Sequence, residues 1–512
     1  MSALRHLAAI AVAAAFIAPP AANAFDIDYS NAAYSSAPTP LNLCGKEDSL
    51  IKPEVCKSSD YEKLAAQIER ALQTALAKAP ANVRPLLKRD QAFFAEMIGW
   101  ATDGMTESDH PDDRKTLAEM LQRRISALED IAGGFGRAGV LGKWTDAFGN
   151  VTVTPAEGGA YRLAIDGNAT YGTDDDRHWQ CQATALLKPA AGGWLTGAFL
   201  PEATSPPPAP GDAPAAPTVP PSIKIRRQGE TLRVVAGERD WGEWRTHLNC
   251  KNIHQVTSSY FASGKLDPAM TPDKVDTAFV VPTFDCTRPD TASDEETCSD
   301  PDLAENDQRL NRAWKALLPR LDETTRQALK EDQRNWVRAQ ANQYPQFLHP
   351  AWDKLTYMMH YTSDGRLDLN NMQRERVTLL EGFDENRKGL AGVWLSYTAI
   401  LNVTQMEDGG LEGKGWKWEQ GDWKAGCDYD IEGKVVGGVF RSDEHRKNPD
   451  TLERDHAMLI VNRLDDVFAK KRQDSTDSDE PKCKRSYANS STARLFPAKP
   501  SPDINDFGQS IR

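Results

Sequence analysis

Residues 284–318 read FDCTRPDTASDEETCSDPDLAENDQRLNRAWKALL, and residues 42–76 read NLCGKEDSLIKPEVCKSSDYEKLAAQIERALQTAL. Set one above the other, the two stretches decide the organisation of the chain. Cys44 falls on Cys286 and Cys56 on Cys298, at one offset of 242 (286 − 44). At that offset Tyr61 meets Leu303, Ile68 meets Leu310, Leu72 meets Trp314, and Ala75-Leu76 meet Leu317-Leu318. Further on, Asp90-Gln91 meet Asp332-Gln333 and Phe94 meets Trp336. The second copy then carries a longer loop, and the offset becomes 252 (376 − 124). Past it Met120, Arg124-Ile125-Ser126 and Leu128-Glu129 meet Met372, Arg376-Val377-Thr378 and Leu380-Glu381, and at an offset of 250 (392 − 142) Gly142-x-Trp144 meets Gly392-x-Trp394. So many agreements at steady offsets read as a tandem duplication.

Within each copy the pattern changes period. Tyr61, Ile68, Leu72 and Ala75-Leu76 lie on one stripe of a helix with 3.6 residues per turn. Ser59-x-x-Glu62 has the form of a capping box, and Ser299-Asp300-Pro301-Asp302 is an equally good helix start. Second helices are predicted over 83–101 and 325–342, and third helices over 112–131 and 370–382. Period two follows. Tyr161, Leu163 and Ile165 alternate, as do Leu395, Tyr397, Ala399, Leu401 and Val403. Ile223 and Ile225, then Leu232 and Val234, flank Gln228-Gly229 as in a hairpin.

The expected fold class is α+β and multidomain: a tandem duplication of a small disulfide-clipped helical bundle followed by a small antiparallel β-sheet or barrel. The helical segments span 40–135 and 280–385, and the β-rich segments 140–262 and 390–490. Residues 201–222 form a Pro/Ala-rich excursion inside the first β-segment, and 494–512 read as a disordered tail.

Residues 1–24 have the pattern of a secretory signal. Arg5 gives the positive start, Leu7–Ala18 the apolar run, and Ala22-Asn23-Ala24 the small residues of a cleavage site near Ala24. The run is too short to span a bilayer comfortably, and no later stretch approaches about 20 continuous apolar residues. The expected location is therefore periplasmic or secreted, without a membrane span. Eight cysteines, an even count in an exported chain, imply disulfides. Pairing alike in both copies gives Cys44–Cys56, Cys181–Cys250, Cys286–Cys298 and Cys427–Cys483. By the chain-entropy model the shorter loops contribute roughly 3 kcal/mol each.

The formal charge of −13 becomes −14 once Arg5 is removed with the signal (−13 − 1). Such a surface disfavours nucleic acid and anionic lipid as partners, because both require Lys and Arg to neutralise phosphate. It either keeps the protein soluble or favours a cationic partner. The chain carries no G-x-S-x-G, H-E-x-x-H or P-loop, and its histidines show no metal-binding i,i+4 pair. The expectation is no catalytic residue, no metal and no cofactor. Asp174-Asp175-Asp176-Arg177-His178 has the look of a site, but the second copy has Gln420-Gly421-Asp422 there, so a solvated turn is the simpler account. Trp416 and Trp418 alternate along one strand, with Trp423 close behind. They either fill a small barrel's core, anchor a protein interface or stack on a glycan.

One string in the second copy resembles a known family. Phe284-Asp285-Cys286, Glu296-x-Cys298, Leu303, Asp307, Leu310, Trp314, Gln333-x-x-Trp336, Arg376 and Leu379-Leu380 are similar to the LprI-like lysozyme-inhibitor N-terminal domains, which are exported, cysteine-clipped helical domains. The first copy keeps mainly Cys44, Cys56 and Gln91. The family places a further cysteine after the Trp and another ahead of the last helix; here Gln340, Gln343 and Asn370-Asn371 stand in that region, so its second staple is missing. The resemblance implies a binding or inhibitor protein whose partner is a cationic exported protein such as lysozyme. A glycan- or peptidoglycan-binding or structural envelope protein is the alternative, and an envelope hydrolase a third reading.

Overall fold

The computed structural model describes residues 33–36, 41, 43–44, 60–102, 111–170, 178–200, 220–237, 249–250, 256–275, 278–343, 363–419, 422–442, 451–462 and 492–505. The apolar stripe turns inward as its period requires. Tyr61, Ile68, Leu72 and Ala75 on helix α1 (Asp60–Lys78) are each at most 3 % exposed. Helices α2 (Arg84–Thr102) and α3 (Pro111–Gly134) complete the first helical set.

Next come the strands β1 (Gly142–Thr145), β2 (Gly149–Pro155), β3 (Tyr161–Thr170), β4 (His178–Pro189), β5 (Leu195–Leu200), β6 (Ser222–Gln228), β7 (Thr231–Ala236), β8 (Asn249–Cys250) and β9 (Ser258–Ala262). Neighbours pair antiparallel in chain order, β9 returns to β1, and β3–β4 pairing closes the ring, with β8 attached to β4. The expected β6–β7 hairpin turns through Gly229, whose φ of 58° suits glycine.

The second helical set is α4 (Ala292–Ser299), α5 (Pro301–Leu317), α6 (Glu323–Gln343) and α7 (Ser363–Glu381). A second closed antiparallel barrel follows: β10 (Gly392–Leu395), β11 (Ala399–Gln405), β12 (Leu411–Glu419), β13 (Asp422–Val436), β14 (Val439–Arg441), β15 (Thr451–Asp455), β16 (Met458–Asn462) and β17 (Thr492–Ala498). The chain is therefore α+β, with eight strands closing each barrel. Closure removes the open edges that such short strands would otherwise expose.

One tryptophan plugs each barrel. Trp144 and Trp394 are buried, and their indole N–H groups donate to the carbonyls of Val140 and Leu390 at 2.8 and 2.7 Å. Arg137 and Arg227 stack on Trp144, while Arg387 and Arg454 stack on Trp394. Gly142 and Gly392 have φ of 102° and 119°, and a Cβ there would come within 3.1 and 2.7 Å of the stacked Arg137 and Arg387. The paired Gly-x-Trp of the sequence thus reflects one packing requirement met twice.

Three expectations need correction. The alternation from Leu395 to Val403 is not one strand but the β10–β11 hairpin, in which Ser396 N donates to the Ala399 carbonyl at 2.8 Å. The second helical set has a fourth helix, α4, which carries the second clip cysteine, Cys298. The sequence from Arg494, expected as a disordered tail, supplies β17, and its buried Leu495, Phe496 and Ala498 close the second barrel against β10 and β16. Polar Ser490, Ser491 and Thr492 and the two nearby prolines hide a short apolar strand from a periodicity reading. The Pro-rich tract up to 219 lies outside the described residues.

Residues Asn31–Arg512 form one compact unit. Leu303 and Leu369 of the second helical set belong to the core of the first half.

Candidate functional site

The polar groups that gather most densely lie where α4 and α5 meet the first half. Thr291 and Asp294 form a reciprocal capping box that starts α4. Asp300 then ends α4 and starts α5, with Pro301 in the first turn. Its Oδ1 accepts from the backbone N–H of Asp302 and Leu303 at 3.0 and 3.3 Å. Its Oδ2 accepts from Arg233 Nε on β7 at 3.0 Å and from Arg366 Nε on α7 at 2.6 Å. Glu296, one turn earlier, accepts from Arg233 Nη2 and, at 3.3 Å, from Arg89 Nη1 on α2. All of these side chains are buried. Burial alone would raise the Asp300 carboxyl, but the guanidiniums of Arg366 and Arg233 hold it well below the usual carboxylate range.

A half-buried fringe extends this cluster. Asp302 accepts from Lys224 at 2.9 Å and from the Trp194 indole at 3.0 Å, and Arg226 reaches Glu305 at 3.4 Å. Glu295 turns the other way and takes the backbone N–H groups of Tyr34 and Ser35 at 2.9 and 2.7 Å. The acids of α4 and α5 are thus neutralised by cations of the first half and of α7, and act as a joint.

A second arrangement occurs in both halves. Arg124 on α3 donates to Gln91 and Asp90 at 3.1 and 2.8 Å, and the other Asp90 oxygen takes the N–H of Ala147 in the β1–β2 turn at 2.7 Å. Arg376 on α7 donates to Gln333 and Asp332 at 2.6 Å each, and Asp332 takes the N–H of Tyr397 in the β10–β11 turn at 3.0 Å. These clasps fix each helical set to its own barrel, and they explain why Asp-Gln and the distant Arg recur together in the sequence.

Residues 286–363 match the family model described as "Lysozyme inhibitor LprI". Neither a curated protein nor a solved structure matches the chain. The LprI segment holds the Cys286–Cys298 disulfide, α4, α5, α6 and the Asp332-Gln333 half of its clasp. Its α4 side is covered by the first half. Its outer α5–α6 surface exposes Arg312, Lys315, Arg334 and Arg338 together with Val337.

Of the expected disulfides, Cys181–Cys250 bridges β4 and β8, and Cys286–Cys298 forms the clip. Cys44 is also disulfide-bonded, while Cys56 and Cys483 lie outside the described residues. Cys427 lies on β13 opposite Lys417. Trp416 and Trp418 occupy β12 and Trp423 β13, but their side-chain surroundings lie outside the described residues. The same holds for the Asp174–Arg177 run. Among the described residues no helix is long and apolar enough to cross a membrane, and no group of three or more His, Cys, Asp or Glu could hold a metal ion.

The sequence reading missed Arg89, Arg233, Arg366, Glu296 and Asp300 as a set. One local signal was available: Arg233 interrupts the apolar run Leu232-Arg233-Val234-Val235, where a lone guanidinium on a packed strand needs a buried acid.

Proposed function

We propose that this protein is an exported, non-catalytic binding protein of the lysozyme-inhibitor kind, acting on a cationic enzyme outside the cytoplasm. The LprI match over 286–363 carries the reading. The net charge of −13 supports it, since an acidic surface speeds encounter with a basic partner at low salt. Export rests on the pattern of residues 1–24, with cleavage near Ala24. The paired clasps and the shared barrel topology support a tandem duplication as the origin of the two halves. Trp416, Trp418 and Trp423 are proposed as an aromatic contact surface on the second barrel.

The test mixes the oxidised mature protein with a chicken-type lysozyme and follows lysis of bacterial cell walls by turbidity. Slower lysis at a molar excess of about tenfold, weakened by added salt, is the expected result. An unchanged rate removes lysozyme as the partner.

A further inference from the structure

The two joints between helices and barrel are built alike but filled differently. In the second, Trp336 and Met372 pack with Tyr397 and Ile400. Hydrogen bonds and strand register identify their counterparts in the first. Ala147 and Tyr397 each give the turn N–H to the clasp aspartate, and Asn150 and Ile400 each pair with the last residue of the preceding strand, Thr145 and Leu395. Phe94 stands for Trp336 and Met120 for Met372. Tyrosine has become alanine, isoleucine asparagine and tryptophan phenylalanine. The first joint has lost bulk and gained polarity, and it contains a cleft of about 580 Å³ between α3 and the β1–β2 hairpin.

Phe94, Met97, Met120 and Phe148 give this cleft apolar walls. Asp146 lines it while being only 3 % exposed. Its Oδ1 accepts from the turn N–H groups of Phe148 and Gly149 at 2.9 and 3.0 Å. The Ser258 hydroxyl lies beside the carboxyl, yet Oδ2 has no partner with hydrogen-bond geometry. The counterpart Ser396 serves the same turn with a hydroxyl, accepting from Thr398 and Ala399 at 3.2 and 3.1 Å. The turn therefore does not require an acid. When ionised, a buried oxygen in this position costs free energy until a donor reaches it.

The rim favours a cationic donor. Asp166 on β3 is exposed and sits across from Asn150, where the second barrel has Trp416 opposite Ile400. Lys143 is engaged by Asp130 at 3.7 Å, and Arg124 by Gln91 and Asp90 through Nε and Nη1, with its Nη2 left unpartnered as Arg376 Nη2 is in the second clasp. Glu119 and Arg123 offset each other one turn apart on α3. Because Oδ1 is committed to the turn, Asp146 offers a single oxygen. That suits a compact ammonium and not the two-pronged fork of a guanidinium.

We propose that this cleft receives a primary ammonium on an unbranched aliphatic stem, the chemistry of a lysine side chain presented by a cationic protein. The stem lies along the Phe and Met walls while the head reaches Asp146 and Asp166. The inference rests on the reading of the protein as a binder of a cationic partner, and supplies the place and the anchor. The ionised groups facing Asp146 are Asp90 from α2 and Arg124 from α3, with the Tyr260 phenol on β9 pushed well above its usual range by burial and by the two aspartates. Burial and the Asp90 carboxylate push Asp146 itself up to about 8. At neutral pH it is therefore protonated, and an arriving ammonium displaces that proton to the solvent and leaves a carboxylate–ammonium pair.

The test is calorimetric titration of the intact protein at pH 7 with Nα-acetyl-lysine methylamide, in two buffers of different ionisation enthalpy, with the norleucine analogue as control. The lysine probe is expected to bind with release of up to one proton, and the norleucine probe about tenfold or more weaker. Asp146→Ser retains the turn, as Ser396 does, and is expected to weaken the lysine probe by about tenfold and to abolish proton release. The double variant Ala147→Tyr with Asn150→Ile refills the cleft and should exclude both probes. Equal affinity for the two probes, unchanged binding by Asp146→Ser, or no binding of the lysine probe up to about 10 mM would each overturn the proposal. The lysis assay separates the two ideas. Lysine binding without inhibition of lysozyme keeps the cleft and discards that enzyme, whereas inhibition without lysine binding discards the cleft.

Discussion

Replacing Arg233 by leucine removes the guanidinium that ties β7 to both Glu296 and Asp300. The Arg233 side chain is 1 % exposed, so neither carboxylate can turn to water in its place. Removing one partner of a buried ion cluster costs about 3–5 kcal/mol, because the remaining charges stay desolvated. Arg89 still reaches Glu296 and Arg366 still reaches Asp300, which places the loss near the lower end, about 3 kcal/mol. Urea denaturation of the oxidised protein, analysed over its first transition, measures it. Adding Glu296→Gln to Arg233→Leu leaves the buried Arg89 without its carboxylate and should deepen the loss. The pH dependence has a definite sign. The Asp300 carboxyl lies below its usual range in the folded protein, so its stabilisation is full above the unfolded value of about 4 and is lost as pH falls through the folded value. Without Arg233 that folded value rises, so the Asp300 carboxyl contributes less stability above about pH 4 and less is lost on acidification. A loss under about 1 kcal/mol, or a Glu296→Gln change that restores stability to Arg233→Leu, would refute the account of this cluster as the joint's main polar tie.

Two further outcomes are expected. Replacing Cys286 and Cys298 together by serine opens a loop of 12 residues and should lower stability by about 3 kcal/mol, read from the same urea transition; no change would mean that α4 is held by its ion pairs alone. Glu375, buried on α7, is pushed up to about 8 by burial and by Asp332 against the opposing pull of Arg376. It holds its proton in the folded state between about 4 and 8, so stability falls as pH rises through that window, and Glu375→Gln should gain on the natural protein from pH 5 to pH 8; parallel pH profiles would remove Glu375 as the cause.

Local order was legible wherever one residue class repeats at one period. The inward stripe of α1 and the β6–β7 hairpin follow from side-chain spacing and backbone freedom alone. Pairing cysteines alike in both copies was enough to place Cys181–Cys250 and Cys286–Cys298. The limits of that reading have physical causes. Leu395 to Val403 alternates strictly in sequence, but the two-residue turn inverts the faces: Leu395 pairs with Ile400 on the side packed against the helices, while Leu401 and Val403 join Trp394 inside the barrel. The partners of Glu296 and Asp300 come from 207 residues away in Arg89 and from 67 and 66 residues away in Arg233 and Arg366, and pairing at such separations leaves no local period. The emptied first joint was present in the sequence as Ala147 against Tyr397 and Asn150 against Ile400. It became readable only when the clasp bonds showed which turn residues correspond.

The cations of the joint also show a direction in the chain. Arg89, Lys224, Arg226 and Arg233 stand on the first half where the acids of α4 and α5 arrive. Clasp and hairpin register place Glu331, Thr451, Glu453 and Ile460 at the corresponding positions of the second half. Ile460 instead packs against the core shared by α5, α6 and the second barrel, and Glu331 pairs with Arg494 on β17. An acidic helical face like that of α4 would therefore meet another acid and an apolar side chain there, and like charge at a desolvating contact costs more than the contact returns. The grip is built for one internal docking event. It fastens the LprI segment by its acids, and leaves Asp166 exposed on the rim of the first joint.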